Sequence, residues 1–238
     1  MRFRSTALLA GLIVSGLAHA NTSSNIHVNQ LGFLPGQHKA AVVPTGTDGV
    51  FSLVDKNSGK TVYQAELSKA EKWAEAGETV HLADFSEFRY PGEYQLVSGS
   101  YSANISIKAG AYDDALAGAI KYYYFNRSGA SLEERHAGPW ARPAGHPDTI
   151  VYVDESAATA ERPFGTVISS PKGWYDAGDY GKYIVNSVIT THTLLRALEN
   201  HPDYFAKLSL NIPESNNQLP DLLDEIFWNL DWMATMQD

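Results

Sequence analysis

The hydrophobic pattern of this 238-residue chain changes period once, at Ala109-Gly110, and no other feature constrains the fold as much. Before the break the apolar residues come in short runs of β type: Ile26–Asn29, Lys39–Pro44, Val50–Asp55, Thr61–Glu66, Thr79–Asp84, Glu93–Ser98 and Tyr101–Ile107. Within one run Tyr94, Leu96 and Ser98 alternate with Gln95 and Val97. Successive side chains of a strand point to opposite faces, so such a run has one face to bury. Turn residues separate the runs, among them Pro35-Gly36, Asp48-Gly49, Asn57-Ser58-Gly59 and Pro91-Gly92. Seven short strands at this spacing predict an all-β immunoglobulin-like sandwich over residues 25–108. There is no Cys…Trp…Cys pattern, which excludes the antibody type.

After the break the period becomes helical. Leu116, Ile120, Tyr123, Tyr124 and Arg127 predict a helix over Tyr112 to Arg127, with Gly129 at its C-terminal cap. A second helix is expected from Lys182 to Asn200, on Ile184, Val188, Leu194, Leu195 and Leu198, ended by His201-Pro202. A third begins near Pro220 and carries Leu222, Leu223, Ile226, Phe227, Leu230 and Met233. Residues 131–172 are rich in Pro, Gly and polar groups. They are too long for an ordinary loop, which points to a functional segment or one ordered by the domain around it. The chain is therefore multidomain, a sandwich followed by an all-α part over 111–238.

Residues 1–20 have the pattern of a secretory signal. Arg2 and Arg4 precede the apolar run Ala7 to Leu17, and Ala18-His19-Ala20 is a small-x-small cleavage site. The run is shorter than the ~20 residues that span a bilayer, so a secreted product, extracellular or periplasmic, is expected, with no membrane partner after cleavage. The net charge of −9 argues against nucleic acid and suits a neutral or cationic ligand such as a sugar polymer. The absence of cysteine excludes disulfides, thiolate metal sites and a cysteine nucleophile.

The densest chemical signal is Gly173-Trp174-Tyr175-Asp176-Ala177-Gly178-Asp179-Tyr180-Gly181-Lys182-Tyr183. Two carboxylates stand three residues apart just before a helix, whose dipole favours their ionised form. An ionised carboxylate can take a proton from water. Trp174, Tyr175 and Tyr180 offer flat faces to sugar rings, and the glycines permit sharp turns and close approach of a ligand. The competing reading makes the aspartates helix caps and the aromatics core. A calcium loop would need later acidic ligands that are missing here, so no metal ligand is assigned; a structural calcium stays open, with no residues to assign to it.

The segment resembles the signature of glycoside hydrolase family 9. Ile26 to Pro35 resembles the opening of that family's N-terminal immunoglobulin-like module. Tyr112 to Leu116 and Tyr124 to Gly129 resemble its first catalytic helix, and Leu219 to Ile226 resembles the helix after the signature. The resemblance implies the first helices of an (α/α)6 barrel that cleaves β-1,4 glycosidic bonds with inversion, on cellulose or cello-oligosaccharides. Asp179 would be the base and Asp176 would help hold the attacking water. The acid would be a glutamate near the family's C-terminal end, so this chain is expected to be a C-terminally truncated, inactive fragment. His146 falls beside the position where some members carry a cysteine for zinc. Gly145 stands there instead, which puts that zinc site in doubt and leaves His146 either to hydrogen-bond a sugar hydroxyl or to make a structural loop contact. The alternatives are an exo-β-glucosaminidase acting on chitosan-type oligosaccharides, and a non-catalytic glycan-binding protein.

Overall fold

A computed structural model of the chain describes residues 26–237; the expected signal segment, residues 1–20, lies outside them. The chain divides into two compact units between Ala111 and Tyr112.

The first unit is built from β1 (Ala40–Pro44), β2 (Val50–Asp55), β3 (Thr61–Glu66), β4 (Glu71–Trp73), β5 (Glu78–Asp84), β6 (Gly92–Ser98) and β7 (Tyr101–Ile107). They form a three-stranded sheet, order β1-β5-β4, and a four-stranded sheet, order β3-β2-β6-β7. All pairings are antiparallel, for example Val42 opposite Leu82 and Leu96 opposite Ala103. Buried and half-buried residues alternate along β1, β2 and β6. The inward set of both sheets makes one core, with Val43 and Ala83 from one sheet and Phe51, Leu53, Leu96 and Ile105 from the other. This is the sandwich that the alternation predicts.

Two details differ from the sequence reading. Ile26–Asn29 is not a strand; it reaches β1 through a single bridge, His27 to Val42, with two hydrogen bonds of 2.9 Å. Beyond it Gly32 turns the chain at φ +101°, where a Cβ would meet the Ser106 carbonyl at 2.9 Å, and Phe33 joins β7. The additional strand β4 is exposed along its length, so it carries no alternation to be read.

The second unit begins with α1 (Asp113–Phe125), which has Asp113 and Asp114 in its first turn, where the dipole favours them. Its C-cap is Asn126 at φ −97°, so Gly129 is not the cap; at φ +73° it instead donates its N–H to Gly145 O. The long segment after it holds a one-turn helix α2 (Glu134–Ala137), two 3-10 turns and a small hairpin of β8 (Val151–Tyr152) and β9 (Val167–Ile168). Then come α3 (Ile184–Asn200), the one-turn α4 (Pro202–Phe205) and α5 (Asp221–Thr235). α5 packs on α3 and touches α1. Ile120, Tyr124, Leu194, Leu222 and Ile226 share the core between them. The face of α3 that is buried is Ser187, Thr191 and Leu194. Ile184, Val188 and Leu195, expected inside, are exposed. No helix among the described residues is long and apolar enough to cross a membrane.

Candidate active site

The segment Gly173 to Tyr183 leads into α3 as a tethered loop. Its stem pairs with the chain after α1: Tyr175 N–H donates to Asn126 O and Ser128 N–H to Gly173 O, both at 2.9 Å. Gly173 has φ +81°, and a Cβ there would lie 2.8 Å from the Trp232 indole, so the position demands glycine twice over. Asp176 N–H donates to Gly181 O at 3.0 Å and closes the loop on itself.

Asp176 and Asp179 are both exposed, and the start of α3 and its N-cap residue hold each by one oxygen. Asn186 Nδ2 donates to Asp176 Oδ1 at 2.7 Å, and the Tyr183 hydroxyl donates to Asp179 Oδ2 at 2.9 Å. That hydrogen bond and the charge of Asp179 raise the Tyr183 pKa above its ordinary value. The helix starts at Ile184 with Tyr183 as N-cap and makes no side-chain cap, so neither aspartate caps α3. A cleft of about 60 Å³ opens beside Asp176, Tyr183 and Asn186, with Trp174 and Tyr123 in its wall. That is room for roughly two waters.

The aromatics separate into two groups. Tyr180 is 63% exposed and stacks on the ring of His146 at 3.9 Å and 23°, with Tyr175 edge-on to both. Tyr175 is half-buried and donates its hydroxyl to Gly145 O at 2.9 Å. His146 is exposed at φ +51°, with its carbonyl held by Ser128 Oγ. The structure thus brings His146, Tyr175 and Tyr180 together beside the carboxylates' loop. Trp174, expected to offer its face to a ligand, is only 5% exposed. Its N–H goes to Glu225 Oε1 at 2.8 Å, and its ring lies 4.7 Å from that of Tyr123. A large ring with one polar atom is buried most cheaply where that atom finds an acceptor, and Glu225 supplies it.

Other residues of the site were given no role in the sequence reading. Lys182 reaches into the long segment, 2.6 Å from Asp148 Oδ2, 2.8 Å from Ser170 O and 2.9 Å from Lys172 O. This ties Asp148, Ser170 and Lys172 to the motif. Tyr183 and Asn186 could have been found by their places at the N-cap and in the first turn of α3, within reach of the preceding loop. Among the described residues, no three His, Asp or Glu side chains come together as a metal-holding group.

The model of the family described as glycosyl hydrolase family 9 matches residues 112–238, and that of the cellulase N-terminal ig-like domain matches residues 21–102. A xyloglucan-specific endo-β-1,4-glucanase of Bacteroides ovatus is 44% identical over 233 residues, which are 95% of this chain and 40% of that protein. Endoglucanase D of Acetivibrio thermocellus is 33% identical over 242 residues, 96% of this chain and 37% of that protein. A solved structure described as Bacteroides ovatus GH9 has a TM-score of 0.83 at 45% identity, covering 90% of this chain and 39% of its own. The chain spans 40% or less of the length of these relatives.

Proposed function

Because the chain belongs to glycosyl hydrolase family 9, we propose that its Gly173–Tyr183 loop is the base side of an inverting glycosidase that cuts β-1,4-linked glucans. Asp179 is the general base. Asp176 shares the attacking water with it. The observation that carries this reading is the tethering of the pair: each carboxylate has one oxygen held, by the N-cap residue Tyr183 or by Asn186 of α3, and its other oxygen has no partner among the described residues. A free, oriented carboxylate oxygen is what removal of a proton from water requires. The names of the two relatives support an endo-acting glucanase on cellulose, cello-oligosaccharides or a related β-1,4-glucan. Tyr180 with His146 forms the sugar-facing surface, Tyr175 supports it, and Trp174 stands in the wall of the cleft beside Asp176.

Inversion also needs an acid about 6.5–9.5 Å across the bond from the base. We place that acid, and the remaining barrel helices, in sequence outside these 238 residues, in keeping with the share of the relatives that they cover. Residues 1–20 act as an export signal, and the enzyme meets its polymer outside the cytoplasm.

The test is Asp179→Asn in the full-length enzyme. Asparagine keeps the shape and the bond from Tyr183 but takes no proton. Turnover on soluble cellulose derivatives is expected to fall by at least about 10²–10⁴-fold, with oligosaccharide binding retained. Turnover at the parental level, with only a lowered melting point, would make the loop a structural turn.

A further inference from the structure

The helical unit buries charges for which the hydrolytic reading has no task. Arg127 is 2% exposed and Glu225 0%. The Arg127 Nε donates to both Glu225 oxygens at 3.2 and 3.1 Å, Nη2 lies 3.0 Å from Glu225 Oε2, and Nη1 and Nη2 reach Glu214 at 3.0 and 3.1 Å. Burial works against the guanidinium's charge, but Glu225 and Glu214 outweigh it and hold the Arg127 pKa above its ordinary value. A well-packed apolar trio often serves stability as well as a buried ion pair, so stability alone is a weak reason for this one.

What the pair touches supplies a better reason. Glu225 Oε1 accepts the Trp174 indole N–H at 2.8 Å. The Arg127 main chain bridges to that of Trp174. The guanidinium also lies 4.4 Å over the ring of Trp228, whose N–H donates to Gly173 O at 3.1 Å. Side chains and main chain therefore clamp Gly173, Trp174 and Tyr175 from three directions, immediately ahead of Asp176. Beyond the clamp, the two carboxylates are anchored by the exposed residues Tyr183 and Asn186. Charge-assisted, forked hydrogen bonds fix direction as well as distance, which apolar packing of the indole would not.

We infer that Arg127 and Glu225 are positioning residues that set the Asp176–Asp179 loop through Trp174. This rests on the hydrolase reading of that loop. A misplacement of about 1 Å can cost roughly 10²-fold in rate, so the clamp controls kcat rather than binding.

Trp174→Phe in the full-length enzyme keeps a buried ring and the Arg127–Glu225 pair but removes the N–H that links them. Measured per folded molecule well below the melting point, kcat is expected to fall about 10²-fold with KM near the parent's. Amide exchange at Tyr175 and Asp176 is expected to quicken while that of α5 does not. Glu225→Gln, which keeps the size and an acceptor but weakens the grip of Arg127, is expected to lose kcat in the same direction by less. Parental kcat with parental exchange at Tyr175 and Asp176 overturns the inference. So does a loss of activity that merely follows the loss of folded protein. Asp179→Asn in the same enzyme separates the two readings. If it keeps turnover, the hydrolase reading fails and the clamp has no base to position. If it is inactive while Trp174→Phe turns over like the parent, only the positioning role fails.

Discussion

The sandwich unit and the helical unit bury their residues in different ways. In the sandwich, Val43, Phe51, Leu53, Leu96 and Ile105 from the two sheets meet in one apolar core. Among its described residues the buried charge is Lys39, whose ammonium donates to the carbonyls of Pro35, Gln37 and Ser86 at 2.8–3.1 Å. Burial lowers the pKa of that lysine. In the helical unit the core contains the Arg127–Glu225 pair and the buried Asp221, Asp224 and Asn229. There Ile184, Val185, Val188, Ile189 and Leu195 of α3 are exposed. The difference teaches where each unit's stability comes from. The sandwich closes on itself, whereas the helical unit leaves apolar area in water and spends its interior on polar geometry.

The largest expected effect comes from cutting the chain between them. Residues 21–110 expressed alone are expected to melt cooperatively as a monomer, since a domain of roughly this size with its own core can fold by itself. Residues 111–238 alone are expected to associate or to melt without cooperativity, because exposed apolar faces of this kind seek partners. Calorimetry and size-exclusion chromatography decide it; a cooperative monomeric melt of the helical piece would erase the contrast.

Single substitutions in the two cores sharpen it. Arg127→Met leaves Glu225 buried without its partner and is expected to cost about 3–5 kcal/mol. Leu53→Ala opens a cavity in the sandwich at about 2–5 kcal/mol. The costs overlap, but the rescue does not. Replacing Glu225 by Leu as well should return part of the stability lost in Arg127→Met, the rest being lost with the acceptor of the buried Trp174 N–H, while leaving kcat low. Urea unfolding of the single and double variants measures this, and a double variant no more stable than Arg127→Met would contradict it.

A smaller contrast lies in two glycines. Gly49 in the sandwich has φ +80° and open space around its missing Cβ, so Gly49→Ala is expected to cost about 1–2 kcal/mol of backbone strain alone. Gly173→Ala adds the contact with Trp232 to similar strain and is expected to cost more. Equal melting temperatures for the two variants would show that the Trp232 ring gives way.

The smallest effect is electrostatic and of opposite sign in the two units. Burial raises the pKa of Asp224, whose Oδ2 has no hydrogen-bond partner. Its contribution is present below the ordinary carboxylate pKa and is lost as pH rises through the folded value. The Ser86 hydroxyl and amide lower the pKa of Asp84 in the sandwich. Its contribution is present above the ordinary value and is lost as pH falls through the folded one. Melting curves from about pH 3 to 8 should show Asp224→Asn gaining on its parent as pH rises. Asp84→Asn should fall behind its parent over the same range. Parallel curves for either variant would remove that residue from the account.

Much of the site was legible because its residues are contiguous. The aspartates, Tyr175 and Tyr180 stand in one eleven-residue motif, so residue type and spacing mark them as candidates, while the roles proposed for them come from the resemblance to the family. His146 was legible by type but not by place; a fold had to bring it 3.9 Å from the ring of Tyr180. The burial of Trp174 was not legible because an indole in a motif looks the same whether its N–H meets a ligand or a glutamate. The acceptor, Glu225, is 51 residues further on.

Period and punctuation are local, so the amino-acid order by itself determined the β-to-helix change at Ala109-Gly110 and the runs that became β1–β3 and β5–β7. It also determined the three longer helices to within a few residues. A strand's alternation or a helix's stripe says that a face wants burial, not which partner buries it. The three-dimensional packing alone decided that Ile26–Asn29 forms only a bridge and that α3 turns Ser187 and Thr191 rather than Val188 inward. It also decided that Arg127 meets Glu225 across 98 residues of chain. Each outcome depends on what a distant segment brings to the same point in space, and for Arg127 it is desolvation that makes the choice of partner decisive.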